Sequence, residues 1–192
     1  MGRDSAATKG RLLAAATEEF AERGVAGARV DRIAAAAQAN KRLIYDYFGD
    51  KDGLFDAVID AHVDRVIDAN PIDAEDIPAY AVRLFDYLMD NPDILRLLTW
   101  ARLERRITPG ARAKNLNSYR NRLAAVEHAQ HEGKVTATLT SVQILTLIES
   151  LALGWVATTL AFQAENEAEL EPGRDIHRKA MSEGLRRMLT DP

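Results

Sequence analysis

The hydrophobic positions along this chain recur with the period of an α-helix. Apolar residues at i, i+3, i+4 and i+7 line one face of a helix, whereas a half-buried strand alternates with a period of two. One such pattern covers residues 8–23 and stops at Gly24, and a second covers residues 30–37. No alternation of the strand type persists beyond four residues. The pattern therefore predicts an all-α protein.

The next pattern is short, cationic and rich in tyrosine. Asn40 is a good N-cap and Gly49 a good stop for a helix over residues 41–48. Ile44 and Phe48 share one face of this helix, and we expect that face to pack on the preceding helix. Two short helices with a tight turn, the second carrying Lys, Arg and Tyr, predict a helix-turn-helix that reads DNA. The alternative is a basic surface helix without a partner.

The other side chains of this helix form an outward set and a flanking set. We expect the outward set to sense base edges. The flanking set, with one lysine just past the helix, is expected to reach phosphates. The outward residues are Arg42, Leu43 and Asp46, and the others are Lys41, Tyr45, Tyr47 and Lys51.

At these positions the chain resembles the TetR-type bacterial transcriptional repressors. The resemblance lies in residues 12–24, in residues 30–37 and above all in residues 41–54, KRLIYDYFGDKDGL, so it covers the first third of the chain. It implies an all-α homodimer with a three-helix DNA-binding domain over residues 1–50. Residues 51–192 would form a helical ligand-binding and dimerisation domain.

The resemblance also implies which residues contact DNA. One group approaches bases, a second contacts phosphates, and a residue at the start of the preceding helix contacts the backbone. The base group is Lys41, Arg42 and Leu43, the phosphate group is Tyr45, Tyr47 and Lys51, the backbone contact is Arg29, and Asn40 completes the predicted interface.

Two residues depart from the family pattern. The family usually has glycine in the turn between the two short helices, where this chain has Gln38-Ala39-Asn40. Gln38 must then be strained, or the turn must differ. Asp46 is unfavourable beside phosphates, so it either accepts from a cytosine amino group or pairs with Arg42 at i, i+4. We favour the pairing with Arg42.

The rest of the chain is also helical in pattern. Helices are predicted over residues 51–69, 79–90, 92–106, 112–130, 141–163 and 175–189. The apolar run Val142–Phe162 is long enough to cross a bilayer, but it contains Gln143 and Glu149. A buried helix of a bundle is therefore the better interpretation.

Composition limits the class of protein. The chain of 192 residues has a formal net charge of −4 and no cysteine, so disulfides and thiolate metal sites are excluded. No secretory leader precedes the first helix, and we expect a cytoplasmic location without a membrane partner. Residues 25–51 carry five cationic and three acidic side chains, a local charge of +2. A small basic region on an acidic chain favours a dimer, because two copies double the phosphate contacts.

Two further sites are predicted in the later helices. Bulky side chains there are candidates for an effector pocket for an apolar or amphipathic small molecule, although aromatics at helical spacing are more often plain core. The effector candidates are His62, on the helix between the domains, and Phe85, Met89, Trp100, Tyr119 and Trp155. The last two long helices favour a four-helix dimer interface, with an ordinary core as the alternative. The interface candidates are Leu147, Leu151, Gly154, Leu185 and Met188.

The predicted function is repression by occupancy of a pseudo-palindromic operator. A rival class is an enzyme, but no nucleophile with a nearby histidine, phosphate loop or spaced ligand set supports it. His128 and His131, at i, i+3, are better interpreted as an exposed polar face than as metal ligands, and no cofactor is expected. The other rival is a small-molecule or protein-binding bundle that has lost DNA binding.

Overall fold

A computed structural model describes residues 2–104, 109–162 and 174–190, and the side chains of residues 5–104, 116, 118–154 and 174–190. These described residues are helical, with short turns between the helices. The helices are α1 (Gly2–Gly27), α2 (Val30–Ala36), α3 (Lys41–Phe48), α4 (Lys51–Ala69), α5 (Ile77–Asp90), α6 (Pro92–Glu104), α7 (Pro109–His131), α8 (Ser141–Phe162) and α9 (Arg174–Leu189). The prediction of an all-α protein is confirmed.

The chain folds into two compact units, which differ from the two domains predicted. The first unit comprises Met1–Arg65 with Asn91–Lys114, and the second comprises Val66–Asp90 with Asn115–Pro192. The first unit thus contains α6 and most of α4 in addition to α1, α2 and α3, because the side chains of α4 and α6 share the core of the first three helices. The functional division at residue 50 stays a prediction, since packing alone does not say which residues bind DNA or ligand.

The core of the first unit is apolar and closely packed. Phe20 and Phe55 meet edge to face with ring centroids 5.1 Å apart. Helices α1, α2, α3, α4 and α6 contribute fully buried side chains, which include Leu12, Ile33, Ile44, Leu54 and Leu97. This core fixes α2 and α3 on the longer helices, so the position of α3 is set by burial of apolar surface.

Helix α1 is longer than predicted and is broken near its end. Gly24, predicted as its stop, has φ 65° and ψ 176°, outside helical geometry. The indole of Trp100 from α6 packs on Gly24, and a Cβ added at Gly24 would lie 3.0 Å from that ring. Glu104 Oε1 accepts a hydrogen bond from Val25 N at 3.2 Å, next to the break. The positive φ of Gly24 and the close packing of the Trp100 ring therefore both favour glycine at this break.

The turn from α2 to α3 places a non-glycine residue in a left-handed conformation. Gln38 has φ 50°. Its N–H donates to Ala35 O at 3.1 Å, and Ala39 N donates to Ala34 O at 3.0 Å. This pair of bonds is a Schellman motif, which usually has glycine at the left-handed position. Of the two predicted alternatives, the structure shows the first, with Gln38 in the left-handed position that glycine usually takes.

The junction of α3 and α4 depends on two glycines. Gly49 ends α3 with φ 82°, and its N–H donates to Tyr45 O at 2.9 Å. Asp50 Oδ1 caps α4 by accepting from Gly53 N at 2.7 Å. A Cβ on Gly53 would lie 2.1 Å from the carbonyl oxygen of Phe48, so only glycine lets the two helices approach this closely.

The second unit is built on α5, which packs on α8 and α9. Its fully buried side chains include Phe85, Leu88, Ile144, Ile148 and Leu185. Helix α8 begins with a capping box, in which Gln143 N donates to Thr140 Oγ1 at 3.2 Å and Thr140 N donates to Gln143 Oε1 at 2.9 Å. The predicted start of this helix at residue 141 is confirmed.

Most predicted helix bounds agree with the structure within three residues. A larger difference occurs at α1, which begins at Gly2 rather than at residue 8 and ends at Gly27 rather than at residue 23. The predicted end of α6 at residue 106 and the predicted end of α8 at residue 163 lie outside the described residues. Within the described parts of the chain, no helix is long and apolar enough to cross a membrane.

Candidate nucleic-acid interface and effector region

Helix α3 packs as predicted on one side and differs at one residue. Asn40 Oδ1 accepts from Arg42 N at 2.8 Å and so caps the helix, while Ile44 is fully buried. Leu43 was predicted to point outward, but it is half-buried against the core of the first unit. The outward prediction for Leu43 is wrong, because a residue next to Ile44 on a short helix still reaches the edge of the packed face.

Each cation on α3 lies near a carboxylate. Lys41 Nζ is 2.7 Å from Asp31 Oδ1, and this hydrogen bond raises the pKa of the Lys41 ammonium. Arg42 Nε is 3.8 Å from Asp46 Oδ2, which confirms the favoured interpretation of Asp46. The side chain of Arg42 remains 85% exposed, so this pair is weak and leaves the guanidinium accessible.

The two tyrosines of α3 differ in their surroundings. Tyr45 is exposed on the surface of the helix, where a phenol O–H is free to meet a ligand. Tyr47 is half-buried, and its hydroxyl lies 3.0 Å from Ser5 Oγ of α1. The hydrogen-bond partner of Tyr47 was not anticipated from the sequence.

Lys51, predicted as a phosphate contact, lies against backbone carbonyls. Its Nζ donates to Val25 O at 2.7 Å and to Ala28 O at 3.3 Å, so it ties the broken end of α1 to the start of α4. An ammonium has three N–H donors, and two are used here. A phosphate contact by Lys51 stays a prediction, with one donor left to make it.

Arg29 is positioned by a residue that the sequence did not single out. Glu19 Oε1 accepts from Arg29 N at 2.9 Å and from Arg32 Nε at 2.8 Å. The bond from Arg32 lowers the pKa of the Glu19 carboxyl. Glu19 therefore anchors the start of α2, while the Arg29 side chain stays exposed.

The second unit contains a partly buried polar cluster that was not predicted from the sequence. Arg122 of α7 forms an ion pair with Glu149 of α8, and its Nη1 donates to Tyr80 Oη of α5 at 3.3 Å. Burial raises the pKa of the Tyr80 phenol, and burial also raises the pKa of the Glu149 carboxyl against the opposing charge of Arg122. Three helices thus converge on one charged group, which is costly to bury and so a candidate for a ligand contact.

The predicted effector residues fall in both units. In the second unit, Phe85 is buried in the core, Met89 is 39% exposed, and the Tyr119 ring centroid lies 5.6 Å from the Arg122 guanidinium carbon. Two others belong to the first unit, where Trp100 packs on Gly24 and His62 Nε2 lies 3.0 Å from Thr17 Oγ1. The side chain of Trp155 lies outside the described residues.

The predicted dimer residues differ in exposure. Leu185 is fully buried in its own unit, so it has no surface with which to touch a second copy, and the interface prediction for it is wrong. It faces inward because the inner side of α9 packs on α5. Met188 is 45% exposed, Gly154 is exposed, and Leu147 and Leu151 are half-buried. His128 and His131 are exposed, as the preferred interpretation requires.

Two family models match this chain. One, described as bacterial regulatory proteins of the tetR family, matches residues 12–58. The other, described as a tetracyclin repressor-like C-terminal domain, matches residues 76–187. Together they cover α3 and the polar cluster of the second unit.

Similar proteins match over nearly the whole chain. The HTH-type transcriptional repressor SCO4008 of Streptomyces coelicolor is 35% identical over 188 residues, which are 97% of this chain and 97% of that protein. A crystal structure of the transcriptional regulator SCO4942, also from Streptomyces coelicolor, is 34% identical with a TM-score of 0.81, covering 96% of this chain and 99% of the other. A TetR family regulator from Marinobacter aquaeolei has a TM-score of 0.78 over 100% of both chains and, at 22% identity, supports the fold alone.

Proposed function

This chain belongs to the TetR family of bacterial regulatory proteins and is a DNA-binding transcriptional regulator, and we propose that it represses transcription by occupying a pseudo-palindromic operator as a homodimer. The observation that carries this proposal is α3 itself, capped by Asn40, packed through Ile44 and exposing Arg42 and Tyr45. A repressor acts by occupancy, so no catalytic step is required. Because a bacterial repressor acts on the chromosome, we infer that this protein is located in the cytoplasm.

We assign distinct roles to the exposed residues of α3. Arg42 reads a base edge, because a guanidinium matches guanine O6 and N7 in the major groove. Tyr45 donates to a phosphate oxygen and fixes the register of the helix on the duplex. Lys41 and Arg29 add positive charge beside the same groove. Leu43, being half-buried, contributes at most a methyl contact to a base.

The homodimer is formed through the outer faces of α8 and α9. Ile176, Ala180, Gly184 and Met188 are exposed and recur every four residues along α9, so they form one stripe. Small side chains in such a stripe let two helices approach closely. A two-fold axis would bring each stripe against the outer faces of α8 and α9 of the second copy, in a four-helix arrangement.

The effector binds in the second unit. We infer that it contacts the cluster of Tyr80, Arg122 and Glu149, with the Tyr119 ring beside the Arg122 guanidinium, because a partly buried ion pair offers the polar groups that orient an amphipathic ligand. Helix α4 runs from the first unit into the second, since Arg65 and Val66 belong to different units. A ligand that favours one setting of α4 by about 1–3 kcal/mol is sufficient to change DNA affinity.

A reporter experiment tests the proposed repression. A DNA site selected by the purified protein is placed over a bacterial promoter, and reporter output is compared with and without the protein. We expect lower output with the protein present, and full output for the Arg42→Ala variant. Unchanged or increased output from the selected site would contradict repression by occupancy.

A further inference from the structure

The first turns of α1 lie beside the last turn of α3. Ser5 Oγ is 3.0 Å from Tyr47 Oη, and Lys9 Nζ lies 5.5 Å from the centroid of the Phe48 ring. Ser5 and Lys9 are separated by four residues, so they share one face of α1. Both are exposed. The fold therefore brings an ammonium and two hydroxyl groups to the end of the recognition helix.

This corner of the first unit carries the ammonium of Lys9, whose partner differs in kind from those of the neighbouring cations. Lys41 and Arg42 each lie near a carboxylate, and Lys51 donates to two carbonyls. Lys9 instead meets an aromatic ring, and among the residues that the structure describes it has no carboxylate within ion-pair distance. An aromatic face attracts a cation without neutralising it.

The two hydroxyl groups supply directional donors beside that charge. One hydroxyl donates to the other in the Ser5–Tyr47 pair, which leaves the second O–H free to donate elsewhere. Phosphate oxygens accept such hydrogen bonds and are held most strongly by charged donors. The combination of one ammonium and one free O–H therefore suits a single phosphate.

We propose that Ser5, Lys9 and Tyr47 form a phosphate-binding site for the DNA backbone, next to the groove that α3 reads. The site rests on the proposed DNA binding and extends the interface to α1, which the sequence analysis did not include. It carries no base preference, because the phosphate is the same at every position of the duplex.

The test is the salt dependence of DNA binding by the full-length protein. Binding to a selected site and to a scrambled duplex of equal length is measured by fluorescence anisotropy at several potassium chloride concentrations. Each neutralised phosphate contributes about −0.9 to the slope of log K against log salt. Lys9→Gln removes one such contact from each protomer, so it should make the slope of a dimer shallower by about 1.8. The affinity for both duplexes should fall by the same factor, and Lys9→Arg should restore both the slope and the affinity.

Matched variants separate this site from a general effect of charge. Lys179→Gln removes a lysine from α9, where the side chain is 77% exposed, and should leave the slope unchanged. Ser5→Ala should weaken both duplexes without changing the slope. The proposal is overturned if Lys9→Gln behaves like Lys179→Gln, or if it weakens only the selected site. A wild-type protein that prefers no sequence would instead count against the proposed function.

Discussion

At the scale of single residues, Gln38 occupies a backbone conformation that costs a residue with a side chain about 1–2 kcal/mol. The same hydrogen-bond pattern ends α7, where Gly133 has φ 69° and takes the left-handed position. We expect Gln38→Gly to raise the free energy of unfolding by roughly 0.5–1 kcal/mol, because glycine removes the steric cost but adds chain entropy to the unfolded state. Urea denaturation measures this change.

The control for Gln38 is Ala36→Gly, at an exposed position of α2 with ordinary helical geometry. It should lower the free energy of unfolding by up to about 1 kcal/mol. If both glycine substitutions destabilise equally, the strain assigned to Gln38 is absent.

Substitutions of Arg42 and of Tyr45 are expected to change DNA binding in different ways. Tyr45→Phe removes a donor to phosphate, so it should weaken binding to every duplex by about tenfold. Arg42→Ala should in addition relax the base preference at one position of each half-site, with a loss of about 1–3 kcal/mol of discrimination. Competition binding against single-base variants of a selected site measures both effects. Two variants with identical base preferences would refute the separate roles.

His62 should make stability depend on pH. Burial lowers the pKa of the His62 imidazole, Arg65 adds to this lowering, and Asp93 opposes it. Thr17 Oγ1 already donates to Leu13 O, so His62 Nε2 is the donor to Thr17, and Nδ1 has no hydrogen-bond partner. The folded state therefore favours the neutral form of the His62 imidazole.

The sign follows from proton uptake. Between the lowered pKa and the ordinary value of about 6.5, the unfolded chain binds the proton and the folded chain does not. Stability is thus complete above about pH 6.5 and falls as the pH drops toward the folded pKa. His62→Gln should flatten this decline in urea titrations between pH 5 and pH 7, whereas His128→Gln, at an exposed site, should keep it. An unchanged decline in His62→Gln would exclude His62 as its source.

At the scale of elements, the broken end of α1 joins three helices. Gly24 meets Trp100 of α6, Val25 N is bonded to Glu104 of α6, and Lys51 of α4 is bonded to Val25 O. Gly24→Ala should lower the free energy of unfolding by about 2–4 kcal/mol, because its positive φ and the contact with Trp100 both resist a Cβ.

The matched control lies in the same helix. Gly10 has open space around a Cβ, so Gly10→Ala should stabilise the protein by about 0.5–1 kcal/mol. Thermal unfolding followed by circular dichroism compares the two variants. If the Gly24→Ala variant unfolds at or above the unfolding temperature of the wild type, the packing described for α6 is contradicted.

The sequence predicted elements wherever local chemistry decides their ends. Asn40 and Gly49 bound α3, and Thr140 starts α8, because caps and glycines act through bonds within a few residues. The partners of Tyr47, Lys51 and α6 were not predictable in this way. Ser5 lies 42 residues before Tyr47, and Val25 lies 26 residues before Lys51, so tertiary packing determines these contacts. The ion pair of Arg122 and Glu149 was missed for the same reason.

At the scale of the whole molecule, the proposed homodimer would double the phosphate contacts of a small basic region and so make that region sufficient for specific binding. The stripe on α9 predicts that Gly184→Arg blocks association. A Cβ at Gly184 meets nothing within 4 Å, so the protomer itself should accept the change. Sedimentation equilibrium should give the monomer mass for this variant and the dimer mass for the wild type.

Gly10→Arg is the control for oligomeric state, because it places the same side chain at an open glycine of α1. It should sediment as a dimer. A dimeric Gly184→Arg variant would remove α9 from the interface and leave the outer face of α8 to be tested alone.

Sequence-specific binding by two copies of α3 is the central property proposed for this protein. The direct measurement is selection from a random duplex library with the purified protein, followed by sequencing of the bound DNA. The account predicts an inverted repeat whose half-site centres lie about one helical turn, 34–36 Å, or a multiple of it apart. Recovery of no preferred sequence, with only weak and salt-labile binding, would contradict it.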